Sequence, residues 1–100
     1  MLDLARIVDF DWDAGNERKS VDKHAVSQIE AQQVFEDQNL LVNEDVKHSN
    51  VEARFHALGQ TQEGRKLHVT FTVRGDGSLI RVISARDMNA KERKVYAKEA

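Results

Sequence analysis

Two stretches of the chain hold groups suited to chemistry. Glu52, Arg54, His56, His68, Thr70, Thr72 and Arg74 occupy even positions, and Arg81 follows beyond a turn. In extended segments side chains alternate between faces, so these groups project together from one surface. That surface suits a phosphodiester. Arginine forks donate paired hydrogen bonds to phosphate oxygens, histidine titrates near neutrality, and Glu52 could serve as a base. The plainer reading is a solvated sheet face on which Glu52 merely offsets Arg54.

Other constellations carry less. His56 facing His68, with His48 as a third ligand, would suit a metal, but no fixed ligand spacing supports it over a solvated pair. Gly59, Gly64, Gly75 and Gly77 sit at turns and not before a helix, so no phosphate loop is formed. Ser84 lacks the strand-to-helix context of a nucleophilic serine. The absence of cysteine excludes disulfides and thiol catalysis.

The elements that must position the polar face follow from periodicity. Residues 7–12 read as a first strand, rich in β-branched and aromatic types. Asp13 offers an N-cap for a thin helix running to Lys23, and Ser27 to Glu30 form a capping box for a second helix carrying Ala31, Val34 and Phe35. A short strand covers residues 40–43. Val51, Ala53, Phe55 and Ala57 then alternate with polar neighbours, as do Leu67, Val69, Phe71 and Val73, the pattern of antiparallel strands with one buried face. The Asp76-Gly77 turn leads into a last strand over residues 79–85, and Asn89 with Glu92 opens a charged C-terminal helix. The order is β-α-α-β-β-β-β-α.

Matching apolar faces predicts Thr72 opposite Arg81, Arg74 opposite Leu79, Val69 opposite Ser84, Phe55 opposite Val69 and His56 opposite His68. A slip of one residue would turn every apolar side chain outward. The C-terminal helix has only Ala90, Val95 and Ala97 as an apolar face, with Met88 before it and Tyr96 at most half-buried, so it should be loosely held. Leu58, Leu79 and Ile83 are then uncovered unless a partner segment or this helix lies over them.

One hundred residues suit one domain, 1–100. No apolar run is long enough to span a membrane. Three aspartates precede Trp12 where a leader would be apolar, so a cytoplasmic location is expected. Residues 1–60 hold 6 Lys/Arg against 12 Asp/Glu and residues 61–100 hold 9 against 5, which together give the net charge of −2. A basic C-terminal part on an acidic chain suits a local anionic ligand better than duplex binding across a whole face.

Read in order, Phe10-Asp11-Trp12-Asp13, Lys23-His24-Ala25-Val26-Ser27, Val34-Phe35-Glu36-Asp37, Glu52-Ala53-Arg54, Gly64-Arg65, Thr72-Val73-Arg74, Arg81 to Arg86, and Glu92-Arg93 with Tyr96 resemble the BrnT family of bacterial toxins. The resemblance covers about Val8 to Tyr96. It implies an α/β (α+β) fold of RelE-like type: a mostly antiparallel sheet of four to five strands, two N-terminal helices on one face and a C-terminal helix. It also implies a metal-independent ribonuclease with no cofactor that inhibits translation. A BrnA-type ribbon-helix-helix antitoxin would neutralise it, and operator DNA would be met only through that antitoxin.

The resemblance reweights the polar face. Arg54 and Arg81 would hold the phosphate, Glu52 or His24 would be the base, and Lys23, Arg74 and Arg86 would contact RNA. His56 and His68 fall outside the matched motifs. Lys23 and His24 read equally well as charges favoured at a helix C-terminus, and Arg86 as a cap on the sheet edge. Family members usually carry Pro, Lys and Gly where Ala14, Asn16 and Ala25 stand. Those departures define the alternative, a decayed module that binds antitoxin or RNA without cutting it.

Overall fold

The computed structural model describes residues 4–12, 25–48 and 52–99. The expected first helix, with Lys23 and His24 at its end, lies outside them. Five strands form one mixed sheet: β1 (Asp9–Phe10), β2 (Leu41–Glu44), β3 (Phe55–Gln60), β4 (Lys66–Arg74) and β5 (Leu79–Asp87). Their spatial order is β1-β5-β4-β3-β2. Three neighbouring pairs are antiparallel, and β1 runs parallel to β5. The expected six-residue first strand is thus reduced to two residues, flanked by Val8 N–H donating to Ser78 O and Asp11 N–H to Ile80 O.

Helix α1 (Gln28–Val34) starts at Ser27, whose hydroxyl accepts from Glu30 N–H while the Glu30 carboxylate accepts from Ser27 N–H. It buries Ala31 and Val34 against the face carrying Phe55, Ala57, Val69, Phe71, Ile80, Val82 and Ala85. Phe35 and Phe55 pack their rings on Phe71, so aromatic contacts run through the core. Helix α1 lies close to β3 because position 59 is glycine: a Cβ there would stand 2.8 Å from Val34 Cγ1 and 2.9 Å from Val34 O.

Two registers differ from expectation. Phe55 pairs with Phe71 and His56 with Thr70, two residues from the predicted partners. The β3–β4 hairpin is closed by Thr61 N–H donating to Arg65 O, so its loop is centred one residue later than the expected Gln60–Gly64. A shift of two leaves every side chain on its own face. Further along, Thr70 pairs with Ser84 but Phe71 with Val82, so Val69 meets Ala85 and not Ser84. Ile83 is the extra residue of a β-bulge, which reverses the alternation of β5 beyond it.

Helix α2 (Ala90–Glu99) packs on the opposite sheet face. Its anchor is Tyr96, only 4% exposed, which clusters with Met88, Leu41 and Leu58, itself 7% exposed. The expected half-exposed Tyr96 is corrected, and of the two covers expected for Leu58 it is the helix itself that folds back over that end of the face. The Tyr96 hydroxyl donates to Asp37 Oδ2, which also accepts from Gln60 N–H. Burial and this neighbouring carboxylate push the Tyr96 hydroxyl up to about 12.

Ala25 adopts φ 54°, the only positive φ at a non-glycine position among the described residues. An L side chain there costs roughly 1–2 kcal/mol. Arg65 holds the strained residue, donating from Nη1 to Ala25 O at 2.8 Å and pairing with Glu30 and Asp87. Ala25→Gly should raise stability by about 0.5–1 kcal/mol once the extra freedom of glycine in the unfolded chain is subtracted. Urea denaturation of the two proteins measures this.

Candidate functional site

The polar face is a ladder of cross-strand rows, set by the antiparallel registers. Directly paired residues lie about 5 Å apart, and successive rows on one face are two residues, roughly 7 Å, apart. The first row holds Arg74 opposite Leu79, with Glu52 reaching in from the segment before β3. Arg74 Nη1 donates to Glu52 Oε2 at 2.6 Å. Arg74 Nε is buried and finds no partner among the described residues.

The second row pairs Thr72 with Arg81. Thr72 is fully buried, and its hydroxyl donates to Ala53 O at 2.7 Å, binding the 52–54 segment to β4. Arg54 O accepts from Asp45 N–H at 2.7 Å, fixing the backbone at the mouth of β3. Alternation from the buried Phe55 puts Arg54 on the polar side. Arg81 Nη1 lies 3.7 Å from Asp11 Oδ2.

The third row runs Asn43, His56, Thr70 and Ser84 across four strands. His56 is fixed at both nitrogens, by Thr70 Oγ1 at 3.0 Å and Asp45 Oδ2 at 2.9 Å. The fourth row runs Leu41, Leu58, His68 and Arg86. The bulge at Ile83 brings Arg86 onto this face; without it Arg86 would point into the core side. Arg86 is not a bare edge cap. Its fork is held by both oxygens of Glu92, each at 2.8 Å, and Glu92 Oε1 also accepts from Asn89 N–H in the capping box of α2.

Of the predicted residues, Glu52, Arg54, Arg74 and Arg81 therefore gather at one end of the face. Arg86 stands two rows away, tied to α2. Lys23 and His24 are outside the described residues. Sequence reading missed Asp45 and the second role of Glu92. Asp45 lies in a loop without periodicity, and Glu92 had already been explained by capping.

Burial depresses the His68 imidazole to about 4, with Arg86 and His56 adding repulsion that Glu92 only partly offsets. At neutral pH His68 is therefore uncharged, and its 3.6 Å approach to Glu92 is a dipolar contact. Arg86 holds Glu92 down to about 2. Between pH 6.5 and 4 the unfolded chain binds a proton at His68 that the folded chain refuses, so stability falls as the solution is acidified. Glu92 adds a further loss from about pH 4.5 to 2. The urea midpoint should drop from pH 7 to pH 4, and His68→Gln should flatten that drop. Among the described residues no trio of His, Asp and Glu side chains is arranged to hold a metal ion. No helix among them is long and apolar enough to cross a membrane.

The described residues thus form a short mixed sheet with an arginine-bearing face, closed at one end by a C-terminal helix. A crystal structure of the Brucella abortus ribonuclease toxin BrnT superimposes with a TM-score of 0.62 over 82% of this chain and 97% of that one, at 19% sequence identity. That likeness concerns the fold. The family model described as "Ribonuclease toxin, BrnT, of type II toxin-antitoxin system" matches residues 12–92. The chain belongs to the BrnT toxin family. No curated protein matches it.

Proposed function

We propose that residues 1–100 form a single RelE-like toxin domain that cleaves RNA and thereby inhibits translation, and that a BrnA-type ribbon-helix-helix antitoxin neutralises it. The family membership supports a toxin with an antitoxin partner. The observation that supports the ribonuclease reading is that Arg74, its partner Glu52 and Arg81 share one face, with Arg54 assigned beside them by strand alternation. Operator DNA is reached only through the antitoxin, and the site of action is the cytoplasm.

The chemistry asks little beyond these groups. The RNA's own 2′-hydroxyl loses its proton to Glu52 or His24 and attacks the adjacent phosphorus. The bond to the 5′-oxygen breaks, that oxygen takes up a proton, and a 2′,3′-cyclic phosphate is left. Arg54 and Arg81 offset the charge that grows on the pentacoordinate phosphate, usually the largest single contribution in such reactions. Proton transfer by a placed base adds about 10²–10⁴-fold. Arg74 positions Glu52 and, with Lys23 and Arg86, draws the backbone to the face. No cofactor takes part.

Asn16 in place of the usual lysine, and the strain at Ala25, favour the second reading of a binding module that does not cut. Induced expression without antitoxin separates the two. A ribonuclease stops growth and depletes RNA; a binding module does neither.

A further inference from the structure

At the far end of the arginine face lies a groove of about 340 Å³ between the sheet and α2. Its floor is the His56–His68 ring pair, with centroids 4.7 Å apart. Leu58 and Val95 supply apolar walls, Asn43 presents an exposed carboxamide, and Lys91 stands at the rim. The floor rows lie one and two steps, roughly 7 and 14 Å, from the row of Arg81.

We propose that this groove is a pocket for one unstacked nucleobase of the RNA, beside the cleaved bond, and that it sets the base preference of cleavage. The inference rests on the ribonuclease reading and specifies its substrate further. Single-stranded RNA is read by splaying a base onto a flat ring and bonding its edge to polar side chains. The two imidazoles are tilted 39° to one another, and His56, held at both nitrogens by Thr70 and Asp45, offers the fixed ring face on which a base can stack. His68 remains uncharged at neutral pH, which favours a neutral base over a phosphate. Asn43 can both donate and accept, as an edge-reading group must. Lys91 at the rim suits the next phosphate along. Glu92, though it lines the groove, is occupied by Arg86 and so does not repel the strand.

The test uses the full chain and four 2′-O-methyl tetranucleotides, each of a single base, which cannot be cut because the attacking hydroxyl is blocked. Ring C–H resonances of His56 and His68 should move saturably, with half-saturation at least about tenfold lower for the preferred base than for the poorest, as stacking and edge bonds together would give. Val95→Trp, at a site already 42% exposed, should fill the groove and abolish those shifts without changing the melting temperature. Asn43→Ala should narrow the difference between bases. Rings that stay unmoved, or move equally for all four bases, overturn the pocket, as does failure of every oligonucleotide to bind. In a parallel digestion of natural RNA, both variants should redistribute the cut sites. A parent protein that shifts selectively but cuts nothing would sink the ribonuclease reading and leave the pocket standing.

Discussion

Arg81→Ala should relieve growth arrest and slow RNA cleavage by about 10²–10³-fold, the usual cost of removing one donor to a developing phosphate charge. Its fold should be intact. Arg81 is partly exposed and its pair with Asp11 spans 3.7 Å, so that pair contributes under about 1 kcal/mol. Arg54→Ala should give a loss of the same order. The double variant should fall well short of the product of the two losses, because groups acting on one phosphate do not act independently. Melting curves taken beside cleavage rates separate a lost donor from a lost fold.

Phe71→Ala is the expected contrast. Phe71 is fully buried at the centre of β4, with Phe35 edge-on at 5.0 Å between ring centroids and Phe55 stacked at 5.4 Å. Truncating such a ring costs about 3–5 kcal/mol through lost burial and the cavity left behind. In a domain of this length each kcal/mol lowers the melting temperature by roughly 4–8 °C. That is a large fraction of the roughly 5–15 kcal/mol that holds an ordinary small domain folded. This variant should lose toxicity through unfolding, with the native signal lost in circular dichroism, whereas Arg81→Ala should lose it with the signal retained.

What the residues disclosed was parity. Alternation in the 50s, 60s and 70s placed Arg54, Thr72, Arg74 and Arg81 on one face, because one wrong step would have exposed Phe55, Val69 and Phe71 together. A translation by two residues costs nothing in that pattern, so the His56–Thr70 pairing was not legible. Nor was the bulge at Ile83: one residue added to β5 leaves local propensity unchanged but decides which side Arg86 takes. The parallel docking of β1 rests on a handful of backbone bonds with no sequence signal. Tyr96 looked exposed because its helix is polar all round; its burial depends on Asp37, 59 positions earlier in the chain. Only the resemblance pointed to position 25, and the positive φ of Ala25 is a conformation that glycine would adopt without strain.

The most direct measurement follows purified protein acting on end-labelled single-stranded RNA in excess chelator, with the new ends identified. Cleavage that proceeds in chelator, leaves a 2′,3′-cyclic phosphate and a 5′-hydroxyl, and slows at least a hundredfold in Arg81→Ala is the predicted result. RNA that stays intact, or is cut equally fast when both Arg54 and Arg81 are replaced in a folded protein, would contradict it.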